Sequence, residues 1–139
     1  MRILVDTNLF LDVLLDREPF AAASQRVLDY CDAHPGEGWI AWHTLANLYC
    51  IGAKTVGKAK ATRQIDAVLG VFDVCPAGTE AARRARLLPV GDFEDALQVT
   101  AAQEAGADWI VTRNVADFNR SPVPAVDPET FLARSGSGT

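Results

Sequence analysis

The stretch that most constrains the fold is the opening one, Ile3-Leu4-Val5 followed at once by Asp6-Thr7-Asn8. Two β-branched residues around a leucine suit a strand buried on both faces of a parallel sheet. The spacing then predicts a helix over 8–16, with Asp6 or Thr7 as its cap. An acid therefore stands where a central strand gives way to a helix. In open α/β sheets ligands bind in the crevice at the carboxyl ends of the strands. Asp6 is either a plain helix cap or a residue placed there for chemistry, and the rest of the chain has to decide between these.

A chain of 139 residues with 49% apolar and 22% charged side chains suits one compact soluble domain. We expect it to span 1–134, with 135–139 (Ser-Gly-Ser-Gly-Thr) as a flexible tail. No apolar run reaches membrane-spanning length and no secretory leader opens the sequence, so the expected location is the cytoplasm. Cys31, Cys50 and Cys75 lie far apart and read as core residues in a reducing compartment. His34 and His43 have no spaced partners, which argues against zinc. A net charge of −5 provides no general attraction to nucleic acid. Any such role needs a local basic patch or a metal that bridges to phosphate.

Within 8–16, Asn8, Asp12 and Asp16 share one stripe, and Leu9, Phe10, Val13 and Leu14 cover the buried side. Asp12, roughly 6 Å along the axis from Asn8, either supports a site or is solvated. Pro19 at the first helical position opens a helix over about 19–33. Trp39-Ile-Ala-Trp reads as a short buried strand, and Thr44 caps a helix over 45–53 that carries Asn47 in its first turn. If that strand neighbours the first, Asn47 points into the crevice of Asp6. A helix over about 57–69 follows, and Lys54, Lys58, Lys60 and Arg63 around it form the densest basic cluster. That cluster is a solvated face or a phosphate contact. The run Val71-Phe-Asp-Val-Cys is a strand, and a helix over 78–87 carries Arg83, Arg84 and Arg86. Asp92 is the natural N-cap of the next helix, which puts Asp95 at N3, where an acid favours the helix dipole by about 0.3–1 kcal/mol. Trp109-Ile-Val ends in Thr112, and Arg113-Asn-Val-Ala-Asp-Phe is the loop beyond. Ala125-Val126 and a helix from Pro128 close the domain.

This alternation predicts a three-layer α/β/α sandwich around a mainly parallel five-stranded sheet. Asp6, Asn47, Asp95, Thr112, Asn114 and Asp117 all fall just past strand ends or in first helical turns. Oxygen donors gathered without Cys or His suit Mg²⁺ or Mn²⁺. Clustered carboxylates repel one another unless a cation joins them, and such centres serve phosphoryl chemistry.

The sequence resembles the PIN-domain (PilT N-terminus-like) family over nearly its whole length. The resemblance rests on the opening Asp6-Thr7-Asn8, on Asp92-Phe-Glu-Asp-Ala-Leu-Gln around Asp95, and on Val111-Thr-Arg-Asn-Val-Ala-Asp-Phe. It implies a Mg²⁺- or Mn²⁺-dependent ribonuclease, similar to VapC-type toxins that pair with an antitoxin and form homodimers. It further implies that Asp6, Asp95 and Asp117 are catalytic and metal-binding, with Asn8, Asn47, Thr112 and Asn114 in support. The family's second acid corresponds to Asn47, in a Leu-Ala-Asn-Leu-Tyr setting that resembles a branch carrying Asn there. An amide offers an oxygen but no charge, and one charge pair at 4 Å is worth about 4 kcal/mol at an effective dielectric near 20. The alternative is therefore a PIN-fold module that binds RNA or protein with little or no cleavage. A phosphatase using Asp6 as nucleophile would want Asp-x-Asp, and Asn8 stands where the second acid belongs.

Overall fold

The computed structural model describes residues 1–136. Its elements are β1 (Ile3–Val5), α1 (Thr7–Leu14), α2 (Ala21–Ala33), β2 (Gly38–Ile40), α3 (Trp42–Val56), α4 (Lys58–Val71), β3 (Asp73–Val74), α5 (Thr79–Ala85), α6 (Phe93–Ala105), β4 (Trp109–Val111), a 3₁₀ turn (Val115–Phe118), β5 (Ala125–Val126) and α7 (Pro128–Arg134). The five strands are all parallel, in the order β3-β2-β1-β4-β5. The opening run is thus the central strand, with Ile3 opposite both Gly38 and Trp109.

Burial of β1 on both faces explains its unbroken apolar run. Ile3 and Val5 join a core with Phe10, Val27, Leu48, Val68 and Phe131, from α1, α2, α3, α4 and α7. Leu4 faces the opposite core, with Val99, Ala101, Ala102 and Ala105 of α6. The small side chains of α6 let it lie close against β1, β2 and β4. Two cores on either side of one parallel sheet make the expected three-layer sandwich.

Several local expectations are corrected. β2 stops at Ile40, and Trp42, read as a buried strand residue, is the first residue of α3 and 73% exposed. Extended Ala41 therefore occupies the N-cap position, and Thr44 lies one turn inside the helix, buried, with its hydroxyl 2.8 Å from that of Thr7. Pro19 precedes α2, which starts at Ala21. Asp12 is neither solvated nor part of the crevice. It is fully buried in an ion pair with Arg113 and accepts a hydrogen bond from Ser24. Cys50 is exposed, whereas Cys31 and Cys75 are buried. Of the expected tail, Ser135 and Gly136 continue from α7, with the Ser135 amide donating to the Phe131 carbonyl at 2.9 Å, and 137–139 lie outside the described residues. Among the described residues no helix is long and apolar enough to cross a membrane.

Candidate functional site

The carboxyl end of β1 delivers Asp6 into a network of long-range contacts. Its backbone is extended at the N-cap position of α1, yet its side chain makes no capping bond. The Thr112 hydroxyl, just past β4, donates to Asp6 Oδ2 at 2.8 Å, and the Gln98 amide on α6 donates to Oδ1 at 3.2 Å. Asp6 is only 5% exposed. Burial pushes its pKa up to about 6, against the downward pull of the Thr112 hydrogen bond, and the Glu94 charge pushes the same way as burial. The plain-cap reading of Asp6 therefore fails on geometry.

The α6 terminus is built by short-range rules. Asp92 caps it, with Oδ1 accepting from the Glu94 amide at 2.7 Å and the Asp95 amide at 3.3 Å. Asp95 is at N3 as expected. Burial, then the charges of Asp6 and Glu94, raise its carboxyl to about 7. Like charges gathered here disfavour ionisation. Glu94 shifts the other way, held below the usual carboxylate range first by a hydrogen bond from His43.

Asp117 is exposed on the 3₁₀ turn and lines a cavity of about 700 Å³ with Asp92, Asp95, Asn119 and Arg120. Asp95 shares this lining with Asp117 and feels the charge of Asp6, whereas neither Asp6 nor Asp117 belongs to the tight acidic group found among the described residues. Thr112 Oγ1, besides holding Asp6, accepts the Asn114 backbone amide at 3.1 Å and lies 3.5 Å from Asn8 Nδ2. The Asn114 side chain is exposed and takes no part in that bond. Asn47 is half-buried on α3, one turn beyond His43 and Thr44 and on their side of the helix. Among the described residues its amide has no hydrogen-bond partner.

Three contributors were not singled out in the sequence: Glu94, His43 and Gln98. Glu94 Oε1 lies 3.2 Å from His43 Nε2, joining the starts of α6 and α3. Gln98, fully buried, has its Nε2 within 3.1–3.5 Å of oxygens of Thr7, Asp6, Thr44 and Glu94. The signal was present as Glu94-x-x-x-Gln98, two polar groups one turn apart on an otherwise alanine-rich face.

Carboxylate and hydroxyl oxygens dominate here, beside the Gln98 amide nitrogen and the His43 ring on Glu94, and an oxygen-rich set suits Mg²⁺ or Mn²⁺ better than zinc. Ligand atoms of Asp92, Glu94 and Asp95 lie within 4.8 Å of one another. Two buried oxygens nearby, Asn8 Oδ1 and Gln98 Oε1, have no hydrogen-bond partner. Water, whether free or held by a cation, would satisfy both oxygens.

A family model described as PIN domain matches residues 2–116. No curated protein matches significantly. Among solved structures, PAE2754 from Pyrobaculum aerophilum superposes with a TM-score of 0.67 at 21% identity, covering 99% of this chain and 96% of that one. A chain of VapBC2 from Rickettsia felis, solved bound to a DNA fragment from their promoter, gives 0.66 at 19% identity, covering 91% and 98%. VapC20 of Mycobacterium tuberculosis, described as a sarcin-ricin-loop-cleaving toxin, gives 0.63 at 16% identity, covering 78% and 86%. At these identities the likeness is one of fold.

Proposed function

The chain belongs to the PIN domain family, and on that premise we propose that it is a divalent-metal-dependent endoribonuclease acting as the toxin of a toxin–antitoxin pair. The observation that carries the reading is the opposition of Asp6 and Asp95. They come from different elements, burial and the charge of Asp6 disfavour ionisation of Asp95, burial disfavours that of Asp6, and neither has an ion-pair partner among the described residues. Such an arrangement is unfavourable without a cation and suited to one.

In this reading Asp6, Asp95 and Asp117 hold Mg²⁺ or Mn²⁺, which supplies Lewis acidity to a phosphodiester and its attacking water. Thr112 orients Asp6, Asn8 and Asn114 support Thr112, and Asn47 offers a neutral oxygen from α3. The substrate is RNA and the protein partners are a cognate antitoxin and a second copy of the chain, in the cytoplasm. The toxin–antitoxin assignment is supported by the fold neighbours, which include VapBC complexes and a toxin.

The uncharged Asn47 favours a second reading, a PIN-fold module that binds RNA or protein without cutting. One assay separates the two. Single-stranded RNA is incubated with the chain in Mn²⁺, with EDTA and the Asp95→Asn variant as controls. The nuclease reading expects cleavage that EDTA stops and that Asp95→Asn lowers by about a hundredfold or more. RNA retained intact on the protein in Mn²⁺ would establish the binding module instead.

A further inference from the structure

The cavity of about 700 Å³ beside the start of α6 is lined by three acids, Asp92, Asp95 and Asp117, and by one base, Arg120. We propose that Arg120 is the phosphate anchor of this cavity, a positioning residue whose guanidinium grips a backbone phosphate of RNA. This deepens the nuclease reading and rests on it.

The ordinary account of Arg120 is an exposed, solvated side chain. Its setting is more specific than that. The hydrogen-bond spacing of the 3₁₀ turn runs on past Phe118: the Asn119 amide donates to the Ala116 carbonyl at 3.3 Å, and the Ser121 amide to the Phe118 carbonyl at 3.0 Å. With a three-residue period Asp117 and Arg120 fall on one side of the turn, and both line the cavity. Phe118 points the other way, 2% exposed, into the core with Val99 and Ile110. Beyond Arg120 the chain is fixed again, because the Ser121 hydroxyl donates to the Val123 carbonyl at 2.7 Å. The backbone that carries Arg120 is therefore held before any ligand arrives, which lowers the ordering cost of binding.

Charge identifies the ligand. The chain carries a net charge of −5, and the three acids of the lining repel a polyanion. A divalent cation would offset part of that repulsion, and Arg120 is the cavity's own positive charge. Its planar fork matches the oxygens of a phosphate. The fork is also uncommitted: among the described residues it has no ion pair or hydrogen bond, although Asp117 shares the lining. Arg84 and Arg113, by contrast, are engaged with Glu104 and Asp12. The cluster of Lys54, Lys58, Lys60 and Arg63 takes no part in the lining. It lies around the end of α3 and the start of α4, with Lys54 roughly 16 Å along the helix axis from His43.

The test measures binding of a short fluorescein-labelled single-stranded RNA to the full chain by anisotropy, independently of cleavage. Ca²⁺ replaces Mn²⁺ as the oxygen-liganded cation, and salt is varied over about 50–200 mM. Arg120→Gln should weaken binding by about fivefold at the low-salt end. It should also make the plot of log affinity against log salt shallower by about 0.7, the loss of one phosphate contact on a single strand. Arg120→Lys keeps the charge without the fork, so the slope should stay at the wild-type value while part of the affinity is lost. Lys60→Gln removes the same charge from the distant cluster and should leave affinity and slope unchanged. Both substituted positions are exposed, so the fold is kept. Wild-type affinity and slope in Arg120→Gln overturn the proposal, as does a slope lost in Arg120→Lys or an equal loss in Lys60→Gln. Each of these outcomes leaves the nuclease reading standing. A wild-type chain that neither binds nor cuts RNA removes both.

Discussion

Arg113 grips Asp12 with two hydrogen bonds, 2.6 Å from Nε to Oδ2 and 3.0 Å from Nη2 to Oδ1, and the carboxylate is entirely buried. Arg113 follows Thr112 and opens the loop that carries Asn114 and Asp117. The pair therefore ties that loop to the middle of α1, and the Phe20 ring covers the guanidinium at 4.2 Å. Ser24 of α2 donates to the same carboxylate at 3.2 Å.

The first prediction concerns that pair. Asp12→Asn leaves a half-buried guanidinium without its counter-charge, and breaking a buried ion pair from one side costs about 3–5 kcal/mol. Urea unfolding should show a loss of this size. Replacing both partners with apolar residues, Asp12→Leu with Arg113→Met, should cost less than Asp12→Asn alone, because no uncompensated charge remains. A double variant less stable than the single one would mean that the pair is worth more than its desolvation.

Acidity should govern stability in an unusual direction. Asp6 is raised to about 6 and Asp95 to about 7, from 3.8 in each case. Between these values the folded chain binds more protons than the unfolded one, so the slope of stability with pH is negative. Their contribution is fully present below about pH 4 and is lost as pH rises through 6 and 7. Glu94 and Asp127 are shifted downward, so their contribution is lost only on acidification below the ordinary carboxylate range. In EDTA the melting temperature should therefore be higher near about pH 5 than near about pH 8, and Mn²⁺ should narrow or reverse the gap by stabilising the ionised carboxylates. A flat or rising profile in EDTA would refute the electrostatic account of the crevice.

What the sequence disclosed and what it withheld divide by distance along the chain. The Asp92 cap, Asp95 at N3 and the buried opening strand are set within a few residues, and the structure has them where the local rules place them. Asp12 was unreadable because its partner lies 101 residues away, and Gln98 because it meets Asp6 across 92 residues. Thr44 looked like a cap because Thr-x-x-Asn resembles one. Its hydroxyl instead meets Thr7, a contact created only when α3 docks on α1. The fold follows from periodicity and strand–helix alternation. The side-chain network of the site follows from packing, which no short-range pattern encodes.

The last prediction turns on Asp95, whose local role and proposed role pull in opposite directions. As an N3 acid it supports its helix by a fraction of a kcal/mol, so Asp95→Asn should be mildly destabilising if that is its whole function. In the crevice its charge is opposed by burial and by the charges of Asp6 and Glu94. Removing that charge ends this penalty, and at about pH 8, where the wild-type group is ionised, the relief outweighs the lost dipole contribution. Asp95→Asn should therefore match or exceed wild-type stability in EDTA. The same substitution removes a ligand, so the stabilisation by Mn²⁺, which grows as RT ln(1 + [L]/Kd), should vanish. Thermal melts of both proteins, with and without Mn²⁺, measure the two effects separately. A variant that is weakened in EDTA yet keeps the full Mn²⁺ shift would make Asp95 a helix-terminus residue and take the metal centre out of this crevice.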